Sequence, residues 1–120
     1  MAIRALDHVN ILTDDLAATV AFYREVIGLE EGPRPPFPFP GAWLYCGDRP
    51  VVHLIQREGD GERRPDTGAI DHVAFEAEDF RRRLQARGLA HETRLVPGGG
   101  MRQIFLRDPN GVKLELNFRL

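Results

Sequence analysis

Four side chains stand at intervals that suit a bound divalent ion: His8, His53, His72 and Glu115. Imidazole and carboxylate donors match Zn, Fe, Mn, Ni or Co, and the lack of a thiolate among them argues against a soft-metal site. The interval from His8 to His53 is nearly that from His72 to Glu115, and each begins on an Asp-His pair, Asp7-His8 and Asp71-His72. Four closed ligands would make a structural site, so catalysis needs higher coordination or one ligand withdrawn. Taken singly, a histidine after an aspartate is as readily a polar strand-edge residue bonded to nearby backbone. It is the matching of the two intervals that points to an ion. His91 has no matching carboxylate and reads as a surface residue. Glu76 shares a predicted face with His72 but stands further along the strand, which makes it the weaker ligand.

Those positions have to be held by repeated elements. Leu6-Asp7-His8-Val9 recurs as Ile70-Asp71-His72-Val73, and internal repetition on this scale signals a duplicated structural unit. Each copy opens a predicted strand, residues 6–12 and 70–77. Each strand then meets an acidic helix start, Asp14-Asp15 and Glu78-Asp79, where a carboxylate can cap free N–H groups. The first helix is expected over residues 16–27, with Leu16, Val20, Phe22, Tyr23, Val26 and Ile27 forming an apolar stripe and Gly28 ending it. The second is expected over residues 80–87, ending at Gly88. Three strands follow each helix, near residues 29–32, 42–46 and 51–56, and near 91–96, 102–107 and 112–118. Pro33 to Pro40, five prolines in eight residues, reads as a connector that no central ladder would accept. Asp108-Pro109-Asn110-Gly111 is a turn sequence, and the polar stretch from Glu58 to Thr67 reads as a linker.

The expected fold class is therefore α+β: two βαβββ modules forming an eight-stranded, cup-shaped mixed sheet with helices on its outer face. Residues 1–120 are one domain, with modules at about 1–58 and 68–120. Strand alternation puts His8 and Asn10 opposite Val9 and Ile11, and Lys113, Glu115 and Asn117 opposite Val112, Leu114, Leu116 and Phe118. A face bearing His, Asn, Glu and Lys is unusual for a sheet interior and implies a polar cup. Asn10, Gln103, Lys113 and Asn117 are candidates to orient a polar substrate there, and Trp43, on one strand face with Tyr45, is a candidate aromatic wall. Cys46, with no adjacent base, reads as a small buried hydrophobe.

Composition excludes several classes. The chain has 120 residues, 42% hydrophobic and 28% charged, which suits one globular domain rather than a disordered segment. A net charge of -2, with Arg63-Arg64 and Arg81-Arg82-Arg83 interleaved with acids, offers no nucleic-acid stripe. A single cysteine permits no internal disulfide. No apolar run nears the ~20 residues of a membrane span, and the N-terminal sequence lacks signal-peptide character. A cytoplasmic protein acting on a small molecule, without nucleic-acid or membrane partners, is the expectation.

The repeat resembles the vicinal oxygen chelate superfamily of glyoxalases, bleomycin resistance proteins and extradiol dioxygenases. Its carriers are the two Asp-His motifs, Ala21-Phe22-Tyr23 with Gly28-Leu29, and Phe105-Leu106-Arg107-Asp108-Pro109-Asn110-Gly111 with Leu114-Glu115-Leu116. The resemblance implies one divalent metal ion per site, a substrate chelated through two adjacent oxygens, and a homodimer. It places His8, His72 and Glu115 in a two-histidine, one-carboxylate ligand set, with His53 where a fourth ligand often stands. It implies a glyoxalase-like lyase or isomerase in which Glu115 moves a proton, with His53 as ligand or acid–base group. An Fe(II) extradiol-type dioxygenase and a metal-free drug- or metabolite-binding protein are the competing readings.

Overall fold

A computed structural model describes residues 2–59, 67–78 and 81–120 of the chain, with backbone alone at 81–83. Residues 60–66 of the expected linker, and Asp79 and Phe80 of the expected second helix, lie outside the described residues. The chain divides into two units, Met1–Gly61 and Glu62–Leu120. The first holds β1 (Val9–Thr13), α1 (Leu16–Phe22), a π-helical turn (Tyr23–Ile27), β2 (Glu30–Gly32), β3 (Gly41–Cys46) and β4 (Arg49–Gln56). The second holds β5 (Val73–Glu76), α2 (Arg81–Ala86), β6 (Glu92–Leu95), β7 (Met101–Arg107) and β8 (Lys113–Arg119).

Each unit is a βαβββ module, and the eight strands stand in two four-stranded mixed sheets, ordered β1-β4-β3-β2 and β5-β8-β7-β6. The order follows from chain geometry. A parallel partner for β1 requires a crossover, and α1 provides it by carrying the chain to the far edge. Antiparallel returns through β2, β3 and β4 then bring the last strand back beside the first. The parallel registers are equivalent in the two modules: Asn10 pairs with His53 and Ala74 pairs with Glu115, each two residues after its Asp-His histidine.

Burial follows the expected alternation. Ile11 and Thr13 are buried while Asn10 and Leu12 are exposed, and Leu114, Leu116 and Phe118 are buried on β8. In the first unit α1 packs on β3 and β4, whose core-facing residues include Ala42, Leu44, Val52 and Leu54. Asp15 caps α1 by accepting from Ala18 N at 3.0 Å, and Gly28, at φ 91, ends the π-helical turn in the left-handed region. Gln56 locks the helix start to β4, accepting from Leu16 N and donating to Asp14 O. Thr19 is fully buried although it lies outside the expected apolar stripe, because its hydroxyl pairs with that of buried Thr13 at 2.9 Å.

Three local expectations are corrected. The ladders begin at Val9 and Val73, so His8 and His72 precede their strands rather than lying inside them. Cys46 is exposed, not buried, because β3 ends there at the turn through Gly47. The Pro33–Pro40 segment does connect β2 to β3, but it is also built into a wall. Tyr45 Oη donates to Pro33 O, Arg34 donates to Phe39 O at 2.9 Å, and Gln56 N donates to Pro40 O at 3.0 Å.

The turn before β8 sets where Glu115 emerges. Asp108 is buried; its Oδ1 accepts from Asn110 N at 2.8 Å and Val112 N at 2.9 Å, and its backbone pairs with Val112 and Gly111. Asp108→Ala leaves two amides without that acceptor and should lower stability by about 2 kcal/mol. Urea unfolding of the variant against the wild type checks this.

Candidate metal and substrate site

Both Asp-His pairs are hydrogen-bonded in the same way. Asp7 Oδ2 lies 2.6 Å from His8 Nδ1, and Asp71 Oδ2 lies 2.8 Å from His72 Nδ1. An aspartate accepting at Nδ1 keeps the proton there and leaves Nε2 as a lone-pair donor, the second contact that orients metal-binding histidines. The bond holds each aspartate below the usual carboxylate range; a second bond from Lys113 adds to the effect at Asp71.

In the second unit the remaining donors converge. His72 Nε2 faces Glu115 Oε1 at 3.5 Å, and Glu115 is 9% exposed. Asn117 donates to the other carboxylate oxygen, Oε2, at 2.7 Å. Ligand bonds of about 2.0–2.2 Å place neighbouring donor atoms roughly 3–3.5 Å apart, so this facing pair suits two donors to one ion. Asn117 Oδ1 is buried without a hydrogen-bond partner. A buried acceptor in that state awaits a donor, and it stands beside the carboxylate where a substrate hydroxyl or an ion-bound water would bring one.

The first unit is built differently. His53 is 9% exposed, and its Nε2 donates to Pro50 O at 3.0 Å. Because β4 lies between β1 and β3, the His53 ring is flanked on both sides. His8 stacks on it at 3.7 Å and 12°, and Trp43 stacks at 4.1 Å and 13°. An imidazole lone pair lies in its ring plane, and near-parallel planes do not converge on one ion. As they stand, His8 and His53 do not offer their lone pairs to a common point. Desolvation in the stack, followed by the charge of His8, pushes the His53 pKa down and favours the neutral ring.

The donors of the second unit fit a borderline divalent ion in chemistry: an oriented imidazole and a carboxylate held by an amide. Among the described residues no three His, Cys, Asp or Glu side chains are gathered as an ion would require.

The other expected substrate contacts divide. Asn10 and Trp43 border a cavity of about 370 Å³ in the first unit, together with Asp7, His8 and His53. Lys113 lies 3.4 Å from Asp71 and over the Phe105 ring at 5.3 Å, so its ammonium supports the Asp71–His72 pair. Gln103 pairs in register with Asn117. The motifs did not single out Arg34, Phe37 and Phe39, which also border the cavity; aromatics interleaved with prolines were the available signal. His91 is half-buried with Nδ1 2.8 Å from Leu89 O, a local contact away from these groups.

Comparison with known proteins places these features in a family. The model of the Glyoxalase/Bleomycin resistance protein/Dioxygenase superfamily matches residues 5–116. Glyoxylase I 4 of Arabidopsis thaliana is 30% identical, the match covering 93% of this chain and 69% of that protein. The ethylmalonyl-CoA/methylmalonyl-CoA epimerase of Cereibacter sphaeroides is 32% identical, covering 92% and 95%. Among solved structures, lactoylglutathione lyase from Agrobacterium tumefaciens superposes with a TM-score of 0.71 at 26% identity, over 98% of this chain and 96% of that one.

Two outcomes follow from the geometry. Asp7→Asn and Asp71→Asn should each weaken divalent-ion affinity by about 10–100-fold, as read by competition with a chromophoric chelator. In metal-free protein, the His53 ring should titrate below the ordinary imidazole pKa of about 6.5. As pH falls below that value the unfolded chain takes up a proton that folded His53 resists, so stability declines with acidification until the folded pKa is passed. An NMR titration reads the midpoint, and His53→Gln should remove this part of the acid sensitivity.

Proposed function

The chain belongs to the Glyoxalase/Bleomycin resistance protein/Dioxygenase superfamily, and from that premise we propose that it is a metal-dependent lyase or isomerase acting on a small molecule with two adjacent oxygens. The observation that carries this reading is the shared Asp–His geometry, which leaves Nε2 of both His8 and His72 as oriented donors. His8, His72 and Glu115 are the proposed ligands, contributed by one chain or by two in a homodimer. When bound, the ion supplies Lewis acidity to the two chelated oxygens. Glu115 takes a proton from one substrate carbon and returns it at the neighbouring position, a transfer that needs no redox partner. Asn117 keeps one Glu115 oxygen engaged, so the carboxylate presents Oε1 in a constant direction. His53, engaged by Pro50 and stacked on both faces, is assigned to the substrate pocket rather than to a fourth ligand position. The names of two similar proteins, an epimerase and a lyase, agree with this direction.

The same stack favours one other reading. With His53 withdrawn, two histidines and one carboxylate make the set of a non-haem Fe(II) oxygenase, and an extradiol-type dioxygenase is the second candidate.

Protein purified without chelator should carry about one divalent ion per proposed site, and His72→Ala and Glu115→Gln should each lower affinity by more than about 100-fold. Elemental analysis after offering Fe, Mn, Ni, Co and Zn checks this; wild-type protein that retains none overturns the enzyme reading. Oxygen uptake by the Fe(II)-loaded protein on adding catechol would transfer the assignment to the dioxygenase.

A further inference from the structure

The cavity of the first unit has a charge and a shape that the proposed chemistry leaves unused. Its floor is the ring series His8, His53 and Trp43. Trp43 lies 6.5 Å from Phe37 with the two rings inclined at 48°, and Phe37 stacks on Phe39 at 5.2 Å and 15°. Arg34 closes this wall, its guanidinium carbon 5.1 Å from the Phe37 centroid and 5.0 Å from that of Phe39. Both lie within the range of cation–π attraction.

The guanidinium is held but not neutralised. One nitrogen donates to Phe39 O at 2.9 Å, and among the described residues no carboxylate pairs with it. It packs against Gly41, where an added Cβ would lie 2.8 Å from its terminal nitrogen. A guanidinium carries five N–H donors in a planar fork, so most of its donor capacity is unspent. Phe37 remains 43% exposed, an apolar ring kept in water at the cavity border. The wall is also stiff, because its prolines fix φ and its ends are tied through Pro33 and Pro40. A preformed aromatic surface beside an unpaired cation is built for a flat ligand with an anionic end.

We propose that the substrate of this site is a planar aromatic or conjugated molecule bearing a carboxylate, with its ring on the Trp43–Phe37 wall and its anionic end on Arg34. This deepens the function proposed above, since it rests on the substrate entering the cavity that His8 and His53 border. Asp7 is the one carboxylate on that border, and its Oδ2 is engaged by His8. The anionic end is accordingly assigned to the Arg34 side.

Trp43 is the only tryptophan of the chain, so its fluorescence reports occupancy directly and independently of turnover. The test titrates the protein with benzoate, with neutral benzamide of the same shape, and with cyclohexanecarboxylate, which keeps the charge and loses the plane. Benzoate should bind about tenfold more tightly than either, the range of one charge-assisted contact. Arg34→Gln should abolish the preference for benzoate over benzamide. Phe37→Leu should weaken both aromatic probes and spare cyclohexanecarboxylate, with circular dichroism showing that both variants fold. Equal binding of benzoate and benzamide, a preference that survives Arg34→Gln, or no response to benzoate overturns the assignment. The titrations are run on ion-free protein and repeated with the ion. A chain that ranks the probes as expected yet retains no metal would refute the enzyme reading alone, and a metal-loaded chain that does not rank them would refute this one alone.

Discussion

The first and last strands of each module lie side by side and parallel, and this ladder determines where His53 and Glu115 stand. A parallel neighbour cannot be reached by a tight turn, so the helix and two intervening strands are committed to the return journey. The last strand then pairs two residues beyond the Asp-His motif in both modules, putting His53 and Glu115 on the polar face. A slip of one residue would turn those side chains into the core and expose Val52 and Leu54, or Leu114 and Leu116. The apolar pattern thereby protects the placement of the polar groups, although it touches none of the chemistry.

On that frame, short-range hydrogen bonds give each donor its direction, and the two units use them to different ends. In the second unit Asp71, Lys113 and Asn117 all act on the His72–Glu115 pair, aiming one nitrogen and one oxygen at each other. In the first unit His8 is oriented in the same way by Asp7, but the residue equivalent to Glu115 is His53, whose ring is consumed in stacking. One unit is organised around lone pairs and the other around flat surfaces. A carboxylate at position 53 could not have stacked between an imidazole and an indole.

Much of this was legible in the residues. The duplication, the strand alternation and the end of the first helical stretch at Gly28 all follow from local pattern and spacing. The near-equality of the two intervals correctly anticipated equivalent register positions for His53 and Glu115. What escaped detection depended on neighbours distant in the chain. The burial of Thr19 is not readable from its helix alone, because its partner, Thr13, belongs to the preceding strand. Lys113 looked free to meet a substrate because nothing local to β8 reveals Asp71 or Phe105 beside it. The planes of the His8, His53 and Trp43 rings arise only once β4 is inserted between β1 and β3. The proline-studded segment was legible as a connector, yet its use as a wall depends on how Tyr45 and Gln56 hold its two ends.

The division into two units, each with its own buried residues, bears on how such a protein can change over generations. Leu44, Val52 and Leu54 sustain one fold half, while Leu84, Ile104, Leu114 and Leu116 sustain the other. Drift in the Pro33–Pro40 wall acts within the first unit, while the turn at Asp108 and the carboxylate at Glu115 belong to the second. A duplicated architecture of this kind lets each half vary over generations against its own set of buried residues.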